Sequence, residues 1–225
     1  MKRLHPRQIQ AAWTQFSGRD IDDPIIEQLA GRSRQIQLPL GDTLLHQDDV
    51  ANNVFLIAQG ELRAVKYTSN GHEIWLSDLS AGDLVGELAV LANIKRTSSL
   101  IASSPSTVLS LTAAEFEHLL MRDGALGLSL ARQLAKRLEA TSGQLVDLLG
   151  MPVTIRLHAE LVRSAEPDPA DEELNIISSA PSVSVLGQRI HASREATSRA
   201  LSSLERRGLV HRQKARWTVI SPSNF

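Results

Sequence analysis

Glu87, Arg96, Thr97 and Ser98 carry the densest chemistry in this 225-residue chain. The run Gly86-Glu87-Leu88-Ala89 reads as the start of a short helix. Its free amides and dipole would favour an anion. Arg96 adds a forked donor suited to phosphate, and Thr97 and Ser98 add hydroxyls. A carboxylate beside an anion site needs a reason, and a ribose hydroxyl donating to Glu87 would supply one. A second constellation lies at Arg194-Glu195-Ala196-Thr197-Ser198-Arg199, near the start of a helix. Arg can bind guanine O6 and N7 with two hydrogen bonds, and Glu can accept from cytosine N4.

Other chemistries find little support. There are no cysteines, which excludes disulfides, thiolate nucleophiles and Cys-ligated zinc or iron–sulfur clusters. The seven histidines show no HExxH or HxH spacing, so no metal site is expected. Asp83 with Glu87 could pass for an acid/base pair, but Arg96 lies close in sequence and no nucleophile accompanies them. The chain is therefore not expected to be an enzyme. The first 16 residues lack a continuous apolar run and no 18-residue apolar stretch exists. Neither a signal peptide nor a membrane span is expected, and a cytoplasmic location fits.

The elements that must position these residues follow from patterning. Residues 1–31 begin the chain as a short helical segment, with Ile25, Ile26 and Leu29 on one face after Asp23-Pro24. Short apolar or alternating runs at 36–40, 43–46, 54–59, 62–67, 73–79, 100–103 and 108–112 read as strands of an antiparallel roll. Asn70-Gly71 marks a hairpin. Residues 124–150 read as one helix, over ~35 Å long. Its Ala131, Leu134, Leu138, Thr141, Leu145 and Leu148 follow the a/d spacing of a coiled-coil seam, best satisfied by a second copy. The face with Arg132, Lys136, Arg137, Glu139, Gln144 and Asp147 reads as solvated. Thr141 is a polar seam position that either sets register or meets a ligand.

Gly150 reads as a left-handed exit and Pro152 as the first position of the next helix, 153–162. The acidic, proline-containing run 166–173 reads as a solvated connector, with a polymerase-contacting loop as the alternative. From Ser182 the pattern is helix, turn, helix. Ser182 caps 183–190, His191-Ala192-Ser193 turns, and Ser193 caps a helix reaching about Arg207. A small hairpin follows, with Arg212, Lys214 and Arg216 near its tip. Residues 182–225 hold eight basic and two acidic side chains, a net +6 against −7 for the rest. That asymmetry suits a polyanion partner for the last module.

The G-E-L-A…R-T-S pattern at 86–98 resembles the phosphate cassette of cyclic-nucleotide-binding domains. Gly60, Gly71 and Gly82 fall where such domains have structural glycines. The segment Arg137-Leu138-Glu139-Ala140-Thr141-Ser142 and the helix from Arg194 resemble their counterparts in the CRP-FNR family of bacterial transcription regulators. The resemblance implies an α+β fold: a sensor β-roll at 1–123, a dimerisation helix and hinge at 124–150, and a winged helix-turn-helix at 151–225. It implies nucleotide contacts at Gly86, Glu87, Leu88, Arg96 and Thr97, with Thr141 and Ser142 from the dimer meeting the purine. It implies DNA contacts at Ser182, Ser193, Arg194, Glu195, Thr197 and Arg199. The effector would be cyclic AMP, with cyclic GMP also allowed because Thr97 follows Arg96. The expected function is a cyclic-nucleotide-dependent homodimer that regulates transcription at palindromic GTGA-type DNA sites, with RNA polymerase as a further partner. The alternative keeps the fold and DNA binding but has a degenerate pocket, with Glu87 and Arg96 paired to each other. His191 departs from the family, where the turn often has Gly.

Overall fold

The computed structural model describes residues 4–20, 22–168, 171–213 and 216–220, with 171–173 described by backbone alone. The chain divides into two compact units, Met1–Leu138 and Glu139–Phe225.

The first unit opens with two helices rather than one. α1 (Pro6–Ser17) is closed by Gly18, whose φ of 69° ends it. The Asp23 carboxylate then caps α2 (Pro24–Arg32) by accepting from the Ile25 amide at 2.8 Å. Trp13 and Phe16 of α1 are buried, and the Trp13 indole donates to the Ser33 hydroxyl at 2.9 Å.

Eight strands follow: β1 (Arg34–Leu38), β2 (Thr43–Leu45), β3 (Asn53–Gln59), β4 (Glu61–Tyr67), β5 (Glu73–Ser80), β6 (Leu84–Val85), β7 (Ser99–Ala102) and β8 (Ser106–Thr112). They form two antiparallel sheets, ordered β1-β8-β3-β6 and β2-β7-β4-β5. Asn70-Gly71 lies in the turn between β4 and β5, where the Thr68 amide donates to the His72 carbonyl at 3.0 Å. The continuous apolar run in β3 has a direct cause. Val54 and Leu56 join a core shared with α1 and α2, while Phe55 and Ile57 join the core of the second sheet. Period-two alternation between two buried sides makes the strand apolar at every position. Leu84 and Val85 divide the same way.

Two short helices, α3 (Glu87–Leu91) and α4 (Ala113–Arg122), interrupt and close the roll. Thr112 and Glu115 form a capping box at α4. α5 (Gly124–Gly150) then runs 27 residues, ~40 Å at 1.5 Å per residue. Leu126 and Leu130 are buried in the helix-side core and Leu134 packs against it. From Leu138 onward the apolar positions are exposed, Leu138 by 69% and Leu145 by 55%. The expected seam is thus partly used by the chain's own sensor at Leu134 and uncovered beyond it.

The second unit contains α6 (Val153–Arg163), α7 (Val183–Arg189) and α8 (Arg194–Arg206). They accompany β9 (Glu166–Asp168), β10 (Asp171–Ile177), β11 (Val210–Gln213) and β12 (Arg216–Ile220). The sheet order is β11-β12-β10-β9. Leu157, Leu161, Leu186, Leu201, Leu204 and Trp217 share one core. Three local expectations are corrected here. The acidic run is not a plain connector, because its described residues form β9 and the start of β10, paired antiparallel. Pairing of 174–177 with β12 carries the chain on as strand, and β9 is an edge, where charge and Pro167 are tolerated. Pro169 and Ala170 lie outside the described residues. Gly150 is the last residue of α5 and is not left-handed, and Pro152 is the N-cap of α6 rather than its first turn.

Candidate functional site

Three elements converge on Glu87. β6 ends at Val85, Gly86 turns the chain with φ 79° and ψ 0°, and α3 begins at Glu87. The carboxyl is 2% exposed and accepts from Arg137 Nη1 of α5 at 2.8 Å. Arg137 Nη2 donates to Asp83 Oδ1 at 3.2 Å. Burial pushes the Glu87 carboxyl above the usual carboxylate range, and the Arg137 charge works against that. One turn before Arg137, Gln133 brackets Leu84: its Nε2 donates to the Leu84 carbonyl at 2.9 Å and its Oε1 accepts from the Leu84 amide at 3.4 Å.

Arg96 is 5% exposed. Its Nη1 donates to the Gly86 carbonyl at 2.8 Å and its Nη2 to the Asn53 carbonyl at 2.7 Å. The guanidinium lies 5.7 Å from the centroid of the Phe55 ring. Its backbone is fixed as well: Asp48 donates to the Arg96 carbonyl and the Arg96 amide donates to Asp49, both at 2.9 Å. The alternative Glu87–Arg96 pair does not form, since Glu87 takes Arg137 and Arg96 takes two backbone carbonyls. A guanidinium has five N–H donors, so these two bonds do not exhaust it. Leu88 and Thr97 are exposed beside this pair, and Thr141 and Ser142 are exposed on α5 in the second unit.

Gln133 and the Asn53 carbonyl were not singled out by sequence reasoning, Asp83 was weighed only as an acid/base partner of Glu87, and the Arg137 side chain was placed on a solvated face. A signal was present. Leu126, Leu130, Gln133 and Arg137 are spaced 4, 3 and 4, one stripe whose first half is buried. Its polar end caps the roll instead of facing water.

The second constellation is built around the α7–α8 turn. The Ser182 hydroxyl accepts from the Val185 amide at 3.3 Å, and the Ser193 hydroxyl accepts from the Ala196 amide at 3.2 Å. His191 is left-handed at φ 52°, a region that His tolerates better than β-branched residues. Arg156 of α6 donates to the carbonyl just before it, Ile190, at 2.7 Å. Gly187 makes the turn close: a Cβ there would lie 2.9 Å from the Ala192 oxygen and 3.0 Å from Thr197 Oγ1. Arg194, Glu195, Ser198 and Arg199 are exposed on α8. Thr197 is not. Its side chain is fully buried and its hydroxyl donates to the Ser193 carbonyl at 2.9 Å, so it packs the turn and cannot reach a base edge. The hairpin tip is also less cationic than its composition. Arg212 makes two bonds to Glu205, at 2.6 and 2.7 Å, and lies over Trp217. Arg216 is 4.0 Å from Asp168, and Lys214 lies outside the described residues.

A family defined as the cyclic nucleotide-binding domain matches residues 35–123. The cAMP-activated global transcriptional regulator CRP of Salmonella typhimurium is 26% identical over 194 residues, covering 86% of this chain and 92% of that protein. The chain is similar to transcription regulators of the CRP-FNR kind over most of its length. The cAMP-activated global transcriptional regulator Vfr of Pseudomonas aeruginosa is 27% identical over 173 residues, 75% of this chain and 81% of its own. Among solved structures, the c-di-GMP responsive global regulator CLP of Xanthomonas campestris superposes with a TM-score of 0.75 at 20% identity. It covers 88% of this chain and 99% of that one. The β-roll and the helix-turn-helix therefore share the architecture of these regulators, and residues 35–123 match the cyclic nucleotide-binding domain. Among the described residues no helix is long and apolar enough to cross a membrane, and no group of metal-binding side chains occurs.

Proposed function

We propose that the chain is a cyclic-nucleotide-dependent transcription regulator, acting in the cytoplasm as a homodimer on palindromic GTGA-type sites. The observation that carries this reading is Glu87: a carboxylate 2% exposed, held by Arg137, one residue past the Gly86 carbonyl on which Arg96 rests. In this reading Glu87 accepts the ribose hydroxyl, and Arg96, beside Gly86, Leu88 and Thr97, faces the cyclic phosphate. Thr141 and Ser142, exposed on α5, meet the purine across the dimer. The uncovered Leu138, Leu145 and Leu148 support pairing of α5 with a second copy.

Nucleotide and DNA are coupled in this scheme. Occupation of Glu87 and Arg96 resets the α5 pair and so places the two α8 helices about one DNA turn, ~34 Å, apart. Arg194, Glu195 and Arg199 then read bases, while Ser182 and Ser193 position the helices that meet the backbone. Each ligand must strengthen the other by the same factor. RNA polymerase is the further partner of an activator.

The test is calorimetry with cyclic AMP and with cyclic GMP, followed by binding of a palindromic duplex with and without each. Saturable heat from one nucleotide and a matching rise in DNA affinity are expected. DNA binding that is tight and unchanged by nucleotide would favour the second reading, a ligand-independent regulator. That reading draws on one observation: Arg137 already engages Glu87, and the Gly86 and Asn53 carbonyls already engage Arg96. Cyclic di-GMP, named for the CLP neighbour, is the third titrant.

A further inference from the structure

Arg137 is shared by two carboxylates of different character. Glu87 belongs to α3 and is almost fully enclosed, while the Asp83 side chain is 30% exposed and precedes β6. Asp83 is held in place before Arg137 reaches it. Its Oδ2 accepts from the Ser80 amide at 2.9 Å, its own amide donates to the Ser80 carbonyl at 3.0 Å, and its carbonyl accepts from Ile57 at 3.0 Å. Its Oδ1 is the oxygen that meets Arg137. Gln133, four residues earlier on α5, grips Leu84, the residue after Asp83. Residues 83–87 and α5 thus meet through a two-rung polar clamp, with only the upper rung touching Glu87.

A ligand hydroxyl arriving at Glu87 must donate to the same carboxylate that Arg137 now holds. With Glu87 as its carboxylate partner, Arg137 would share that group with the ligand just where the pocket has to transmit its state. Asp83 offers a second carboxylate acceptor, 3.2 Å from the other guanidinium nitrogen. We propose that Asp83 is a positioning residue that keeps Arg137, and with it helix α5, seated on the sensor while a nucleotide ribose occupies Glu87. The inference rests on the nucleotide reading of the Glu87 site.

The test compares the full-length wild type with Asp83→Asn, using cyclic AMP and cyclic GMP as probes. Calorimetry gives nucleotide affinity, fluorescence anisotropy on a palindromic duplex gives the nucleotide-driven rise in DNA affinity, and hydrogen exchange reports on residues 130–138. Asp83→Asn should bind nucleotide within about twofold of wild type and lose about fivefold of the nucleotide-driven rise, the scale of a half-exposed ion pair. Its α5 amides should exchange faster than wild type only when nucleotide is bound. Asp83→Glu should restore part of the coupling. Arg137→Lys, which keeps the charge but loses the fork, should reproduce the loss independently. Wild-type coupling in Asp83→Asn, or exchange raised equally with and without nucleotide, overturns the proposal alone. Absence of heat from both nucleotides in the wild type overturns the pocket reading and the proposal with it.

Discussion

Gly86 and Gly71 offer a matched pair of substitutions. Both have φ of 79°, so Ala at either position meets the same kind of backbone strain, about 1–2 kcal/mol for a left-handed L-residue. Their surroundings differ. A Cβ at Gly71 meets nothing within 4 Å, whereas at Gly86 it would lie 2.7 Å from Arg96 Nη1. That nitrogen cannot swing away cheaply, because its guanidinium is bound to the Gly86 and Asn53 carbonyls and lies over Phe55. Losing the charge-assisted bond to Gly86 adds about 1.5–3 kcal/mol. For a chain of this size Gly71→Ala should lower Tm by about 2–8 °C, and Gly86→Ala by about 3–12 °C more. Urea unfolding followed by tryptophan fluorescence gives the same comparison at fixed temperature. Gly86→Ala should also weaken cyclic nucleotide binding at least about tenfold, the equivalent of 1.4 kcal/mol, while Gly71→Ala should not. Equal stability losses in the two variants would refute the claim that Arg96 is locked against Gly86.

Other substitutions separate the remaining roles. Thr197→Val should cost about 0.5–1.5 kcal/mol of stability through its lost bond to Ser193, with sequence discrimination on DNA unchanged; a loss of discrimination without a loss of stability would restore Thr197 as a base contact. Arg194→Ala should lose about 1–3 kcal/mol of discrimination, and an equal loss on specific and random duplexes would mean that it touches only phosphate. Leu138→Asp, at a position 69% exposed in the single chain, should abolish the dimer in sedimentation while leaving the thermal transition intact; a persisting dimer would refute the seam. Glu87 has a pKa raised above its ordinary 4.5 by burial. The cost of its charge is therefore absent below about that pH and grows as pH climbs through the raised value. Glu87→Gln should gain stability relative to wild type over that rise, and a difference flat from about pH 4.5 to pH 8 would count against the enclosed carboxylate.

Much of the fold was legible because its signals are local. Each run assigned to the roll became a strand, since alternation and turn residues act within a few positions. Ser182, Ser193 and the His191 turn were placed correctly for the same reason: capping and left-handed backbone are short-range chemistry. The acidic run at 166–173 was misread because composition favoured a loop, whereas the strand that continues it at 174–177 is held by β12, about 40 residues downstream. Thr197 was misread because helical position alone does not say which face the neighbouring α7 covers. The close approach of Gly187 decides that.

The sequence by itself determined the residue types of both constellations, the two modules that bear them and the long helix with its apolar stripe between. Those follow from periodicity and from motifs whose members stand within about a dozen positions. Only the tertiary structure decided the partners. Glu87 meets Arg137 across 50 residues and Arg96 meets the Asn53 carbonyl across 43. Such pairs depend on how sheets and helices stack, and burial then sets their strength by removing water from Glu87 and Arg96. The same stacking turned Arg137 from a solvated helix charge into the contact that joins α5 to the pocket.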